Sequence, residues 1–176
     1  MGSIIVSHYV MRYPQDVAHN MILLSPILRS EVGQSFSDVE YGLASGALHL
    51  LPSKVRYQFM KSKPVSYCIS HVLTYDRSLQ KHIDDLHYKY SGRFASADAL
   101  LADMKISMRE TTVFPRDKRI LVCIGMHDQL TSVNLARKLS KKHDNVVFKA
   151  VEGTGHLINY ERPQLAAKVI AEFLED

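Results

Sequence analysis

Two residues in the second half of the chain have the types and surroundings that acid–base chemistry needs. Asp128 follows the apolar run "RILVCIG", inside "MHDQLTS", and His156 follows "NVVFKAVEG", inside "TGHLINYERP". In open α/β sheets ligands collect at the carboxyl ends of the strands, so the loops directly after strand-like runs are where reactive groups belong. A carboxylate and an imidazole on adjacent strand ends can meet. The carboxylate then accepts the imidazole N–H, fixes its tautomer and stabilises the imidazolium formed when the ring takes a proton. Such a pair is two-thirds of a nucleophilic triad. Each residue alone has an ordinary alternative, an Asp capping the next helix or a His on a polar surface. Their joint occurrence favours a catalytic assignment, with Gly125 ahead of Asp128, Gly155 directly before His156 and "ERP" opening a last helix.

The elements that would position this pair follow from periodicity, which divides the chain into three regions. Residues 2–12 carry Ile4, Ile5, Val6, Tyr9, Val10 and Met11 on nearly all sides, which predicts a helix buried under a sheet, ended by Pro14. The short, continuously apolar "NMILLS" (20–25) fits a strand covered on both faces of a parallel sheet. From about 30 to 112 the pattern is helical and no convincing strand appears. Ser78 is the expected N-cap before Leu79, Ile83, Leu86 and Tyr90; Ser96 precedes Leu100, Leu101, Met104 and Met108. Pro52 and Pro64 divide the earlier part into shorter pieces, giving four or five helices.

After "TTVFPRDK" the strand signal returns at 120–125. A helix over about 132–143, a strand over 145–151 and a helix from Pro163 follow, the last with Leu165, Val169, Ile170, Phe173 and Leu174 on one face. Strands alternating with helices at this spacing mean a parallel α/β sheet. The domain reading is an α/β core from 1–30 and 111–176, with about three strands near 18–25, 119–125 and 145–151, interrupted by a helical insertion over 31–110.

Composition excludes several classes. With 46% hydrophobic and 23% charged residues in 176, the chain has the make-up of one soluble globular unit with a real core. No apolar run approaches the ~18 residues of a membrane span, and His8, Arg12 and Gln15 stand where a signal peptide needs apolar residues, so a cytoplasmic location is expected. The +4 formal charge is spread along the chain, and Arg137, Lys138, Lys141 and Lys142 fit a solvated helix face; no nucleic-acid partner is expected. Cys68 and Cys123 have no metal-ligand spacing and are expected to be thiols, Cys123 in the core. His82 and His87 flank Asp84 and Asp85 but are five apart, which is wrong for joint ligation on a helix. His127 and His143 have the character of loop polar residues, His127 at the mouth of the site. No metal or organic cofactor is implied. Tyr57, Phe59, Met60, Tyr67, Tyr75, Tyr88, Tyr90, Met104 and Met108 could line an acyl or aromatic pocket, with helix packing the ordinary role for most.

At these residues the sequence resembles the α/β-hydrolases that carry a helical cap. "ILVCIGMHDQLTSVNLARKL" resembles their strand, acid loop and helix; "VVFKAVEGTGHLINYERPQLAAKVIAEFL" resembles their terminal strand, His loop and helix; "YPQDVAHNMILLSP" resembles the segment leading into the cap. The resemblance implies a triad in the order Ser, Asp, His, with the Ser in a Gly-x-Ser-x-Gly elbow. Laid on this sequence, Gly2 matches the elbow's last Gly and Met1 the residue after the nucleophile, whose N–H is one oxyanion donor. The nucleophile is then expected just before Met1. Ser3 is a poor substitute, because an elbow there needs Gly at positions 1 and 5 and finds Met1 and Ile5; Ser7 is likewise a helix residue. The expected protein is therefore a serine esterase or lipase-like hydrolase of small carboxylic esters, present here without nucleophile or N-terminal strands and so inactive by itself. The alternative is a non-catalytic remnant or small-ligand binding protein on the same scaffold. The expected partners are an ester or other apolar small molecule, and an N-terminal half or a second copy meeting the exposed edge of the first strand.

Overall fold

A computed structural model of the chain describes residues 2–28, 50–86 and 109–175, together with 46, 99, 102, 105 and 106. Its centre is the strand the sequence marks most strongly. β2 (Arg119–Gly125) has every residue from Ile120 onward buried, with Ile120, Val122 and Ile124 on one face and Leu121 and Cys123 on the other. A strand apolar on both faces needs a layer on each side and a hydrogen-bonding neighbour along each edge. β1 (Asn20–Leu24) and β3 (Val146–Val151) supply the edges, both parallel to β2, in the order β1-β2-β3. Asn20 pairs with Arg119, Ile120 with Val146 and Gly125 with Val151, so the strands run in step to their carboxyl ends.

Two helical layers close the faces. On one, α1 (Gly2–Arg12) contributes Val10 to a cluster with Met21, Leu23, Ile120, Val122 and Ile124. On the other, Ala166 and Phe173 of a C-terminal helix pack with Leu121, Cys123 and Val151. Each fully buried aliphatic side chain of β2 contributes about 1.5–3 kcal/mol. Between β1 and β2 the described residues include the helices α2 (Ser53–Met60), α3 (Lys63–Leu73) and α4 (Arg77–Leu86). Pro52 lies just ahead of α2 and Pro64 in the first turn of α3, where a missing N–H costs nothing. After β2 comes α5 (Val133–Ser140), with the Ser132 hydroxyl accepting the Leu135 N–H at 3.3 Å. A short α6 (Ile158–Glu161) and α7 (Pro163–Glu175) complete the chain.

Several expectations are corrected. α1 is not surrounded: Ile4, Ser7 and Val10 face inward, while Ile5 is 61% and Met11 58% exposed, with Val6 and Tyr9 also open. One stripe of a helix can reach one sheet, and no second layer covers the far side among the described residues. α4 is capped by Asp76, not Ser78, because the Asp76 carboxylate accepts both the Ser78 N–H (2.9 Å) and hydroxyl (2.7 Å). α5 stops at Ser140 because the Lys142 and His143 N–H groups bond three residues back, tightening the end into a turn. Leu165 and Leu174 of α7 are exposed, so its inner face centres on Ala166 and Phe173. Phe59, Tyr67 and Tyr75 are exposed rather than packed between helices. The Met60 side chain, and His87, Tyr88, Tyr90, Ser96, Leu100, Leu101, Met104 and Met108, lie outside the described residues.

Gly125 ends β2 where two backbones nearly touch: a Cβ there would collide with the Gly155 carbonyl and sit 2.6 Å from the Thr154 carbonyl. Gly125→Ala is expected to destabilise the chain by about 1–3 kcal/mol, the usual cost of overpacking. Gly2→Ala, with nothing within 4 Å of its Cβ, stays within about 0.5 kcal/mol. Denaturant midpoints of the two variants check this.

Candidate functional site

Because β2 and β3 are parallel neighbours, the turns that leave them emerge side by side at one edge of the sheet. The backbone laces them together: the Met126 N–H donates to the Val151 carbonyl at 2.9 Å and the His127 N–H to the Thr154 carbonyl at 3.0 Å. Asp128 and His156 therefore face one another, with His156 Nδ1 3.0 Å from Asp128 Oδ2. At that distance the imidazole donates from Nδ1, which leaves Nε2 as the basic nitrogen.

The second carboxylate oxygen is also held. Asp128 Oδ1 accepts the N–H groups of Leu130 (2.8 Å) and Thr131 (3.0 Å), so its own loop fixes the carboxylate plane independently of the histidine. The Asp128 side chain is fully shielded from solvent, whereas 19% of the His156 side chain is exposed. Burial is the largest single influence on Asp128 and by itself pushes its pKa up. The His156 hydrogen bond, the His156 charge and the two backbone N–H groups together outweigh it and hold the carboxyl below its ordinary value. The arrangement can take a proton at Nε2 and stabilise the resulting cation.

The His loop is fixed from the far side as well. The His156 and Leu157 N–H groups both donate to the Leu73 carbonyl, at 3.0 and 3.2 Å, at the end of α3. His127 is not a free polar side chain: its ring stacks on Tyr75, centroids 3.7 Å apart and planes 6° apart. Glu161, read from sequence only as part of the "ERP" that opens α7, is a buried carboxylate accepting backbone N–H groups of residues 75, 76 and 155. A carboxylate five positions after a loop His gives little warning of such a role in sequence.

The remaining candidates make other contacts. The Ser3 hydroxyl accepts from the Ile27 N–H (3.1 Å) and the Thr112 hydroxyl (3.0 Å). Ser7 is buried, donating to the Ile4 carbonyl at 3.0 Å and accepting the Val113 N–H at 3.2 Å. Both are engaged in tying α1 to the segments flanking β1 and β2. Met1 lies outside the described residues. His82 is exposed, His143 sits edge-on to Phe114, and burial pushes the Cys123 thiol up to about 11. Among the described residues no group of three or more His, Cys, Asp or Glu could hold a metal ion. Nothing in the local sequence marks Ser25, which follows β1 at φ 45° with its hydroxyl buried and without a hydrogen-bond partner among the described residues.

No family model matches the chain. Its structure superposes over 98% of its length on a meta-cleavage product hydrolase from Pseudomonas fluorescens IP01, with TM-score 0.68 and 17% identity, covering 61% of that chain. It has the α/β-hydrolase fold. A 2-hydroxy-6-oxo-6-phenylhexa-2,4-dienoate hydrolase from a Rhodococcus species matches all of the chain (TM-score 0.64, 14% identity, 62% of that chain). An esterase from Exiguobacterium antarcticum matches 99% of it (TM-score 0.66, 14% identity, 63% of that chain). Among curated proteins, "Putative esterase/lipase 2" of Mycoplasma pneumoniae is 34% identical over 62 residues, 35% of this chain and 23% of that protein. The chain thus spans about three-fifths of each solved α/β-hydrolase structure and a smaller part of the curated relative. Among the described residues no helix is long and apolar enough to cross a membrane.

A carboxyl whose pKa is held below its ordinary value in the folded state stabilises that state above the unfolded pKa, about 3.9, and the stabilisation is lost as pH falls through the folded value. The stability gap between the native chain and Asp128→Asn is therefore expected to shrink as pH falls below about 4. Thermal unfolding across pH 3–7 checks it.

Proposed function

We propose that this chain carries the acid–base half of a serine hydrolase acting on small carboxylic esters, an esterase or lipase-like enzyme. The observation that carries the proposal is the His156–Asp128 contact of 3.0 Å at the carboxyl ends of adjacent parallel strands. The names of the esterases among the structural and curated matches support the same class. A second feature fits: α1 begins at that edge of the sheet, its Ser3 hydroxyl bound to the Ile27 N–H just beyond the end of β1. A Ser one position before Met1 would stand beside the N-terminus of α1, where developing negative charge is favoured.

In this reading the Ser hydroxyl attacks the ester carbonyl and its proton passes to His156 Nε2, while Asp128 stabilises the imidazolium. The backbone N–H of residue 1 donates to the oxyanion. His156 then returns the proton to the leaving alkoxide, and water attacks the acyl-enzyme with the same histidine as base. The helices of 31–110 form the cap over the substrate, no cofactor enters, and the reaction takes place in the cytoplasm.

Expressing the chain with the coding sequence that precedes it, where that encodes Gly-x-Ser, is expected to give turnover of short p-nitrophenyl esters. His156→Ala in that protein is expected to lower kcat by about 10³-fold or more. Absence of turnover there, with retained binding of an apolar ligand, would replace the hydrolase reading with that of a binding protein.

The edge of β1 that pairs with no strand among the described residues, and the open apolar side of α1 with Ile5, Val6, Tyr9 and Met11, are in this reading the surface that would receive preceding strands of the polypeptide. The 176-residue chain by itself is expected to self-associate through this surface, and less so in Ile5→Lys. A sharp unfolding transition of a monomeric species in sedimentation and calorimetry would count against this.

A further inference from the structure

We propose that Glu161 is a positioning residue, the clasp that fastens the turn between α3 and α4 to the His loop and so sets His156 against Asp128. The inference rests on the reading of those two residues as the acid–base pair. Glu161 ends α6 and is 4% exposed. Its Oε1 accepts the N–H of Gly155, the residue before His156, at 2.9 Å. Its Oε2 accepts the N–H groups of Tyr75 (2.9 Å) and Asp76 (2.8 Å), in the turn of the helical insertion. One carboxylate thus bridges two segments that are more than 70 residues apart in the chain.

Other contacts converge on the same turn. The Leu73 carbonyl receives the His156 and Leu157 N–H groups. Gly155 allows the approach, since a Cβ there would stand 2.9 Å from the Tyr75 nitrogen and 3.0 Å from the Leu73 oxygen. On the acid side, the Tyr75 ring covers His127, the neighbour of Asp128. Both loops that carry the pair therefore lean on residues 73–76, and Glu161 holds that support to the backbone beside the histidine.

The charge and shape of a carboxylate are what this junction requires. Hydrogen bonds from N–H to an anionic acceptor are shorter and stronger than neutral ones. Only a carboxylate presents acceptors in both directions. A glutamine keeps one oxygen and turns an NH2 toward N–H donors on the other side, so one half of the clasp must open.

The test is the Nδ1 proton of His156 in the unextended chain labelled with 15N-histidine, its resonance identified by loss in His156→Ala. In Glu161→Gln this low-field resonance is expected to be lost, while far-UV circular dichroism shows helices and sheet retained. An unchanged resonance in a folded Glu161→Gln would overturn the proposal, since a merely structural role lowers the unfolding temperature without disturbing the imidazole. If that variant does not fold, amide hydrogen exchange of the unaltered chain decides. A common protection factor for residues 75, 76, 155 and 156 supports the clasp, and exchange of 155 and 156 independently of 75 and 76 overturns it. Ester turnover is not the readout. Failure of the hydrolase reading, seen in the extended protein, is therefore distinct from failure of the clasp, seen in the imidazole.

Discussion

Everything in this chain depends on the double burial of β2. Ile120, Val122 and Ile124 point to one side and Leu121 and Cys123 to the other, all without solvent contact. A strand of that kind has no stable solution as an exposed hairpin. It must sit between two parallel neighbours and under two helical layers. Once it does, its carboxyl end and that of β3 are in register, Gly125 opposite Val151, and the turns leaving them have to share one small space.

How tightly that space is filled is set by backbone meeting backbone. Gly125 lets the end of β2 lie against the His loop, and Gly155 lets the His loop lie against the turn at 73–76, since a Cβ on either would meet neighbouring backbone. The layers are thus stacked at the closest distance peptides allow, and small displacements at one are felt at the next. Packing this dense transmits strain instead of absorbing it. Asp128 gains from the same geometry: burial alone would favour its neutral form, but the imidazole and two loop N–H groups reach it because the loops cannot drift apart.

The first helix shows the opposite condition. Apolar all round in sequence, it finds a partner for only one of its faces, and β1 pairs on only one edge among the described residues.

The sequence by itself determined the elements and their order. The run of five apolar residues in "ILVCI", the Pro and Ser at helix starts and the helical period of α7 depend on local chemistry, so the strands fall within a residue or two of their expected limits. Placing Asp128 and His156 directly after two strands was legible for the same reason. What only the tertiary structure decided is which groups meet. Glu161 reads locally as a helix-end carboxylate and Tyr75 as one more insertion aromatic. Their contacts with residues 155 and 127 join segments far apart in the chain, and no local period encodes a distance across the fold. The same holds for the outer face of α1, since a helix records its apolar character in sequence but not whether a layer is there to cover it.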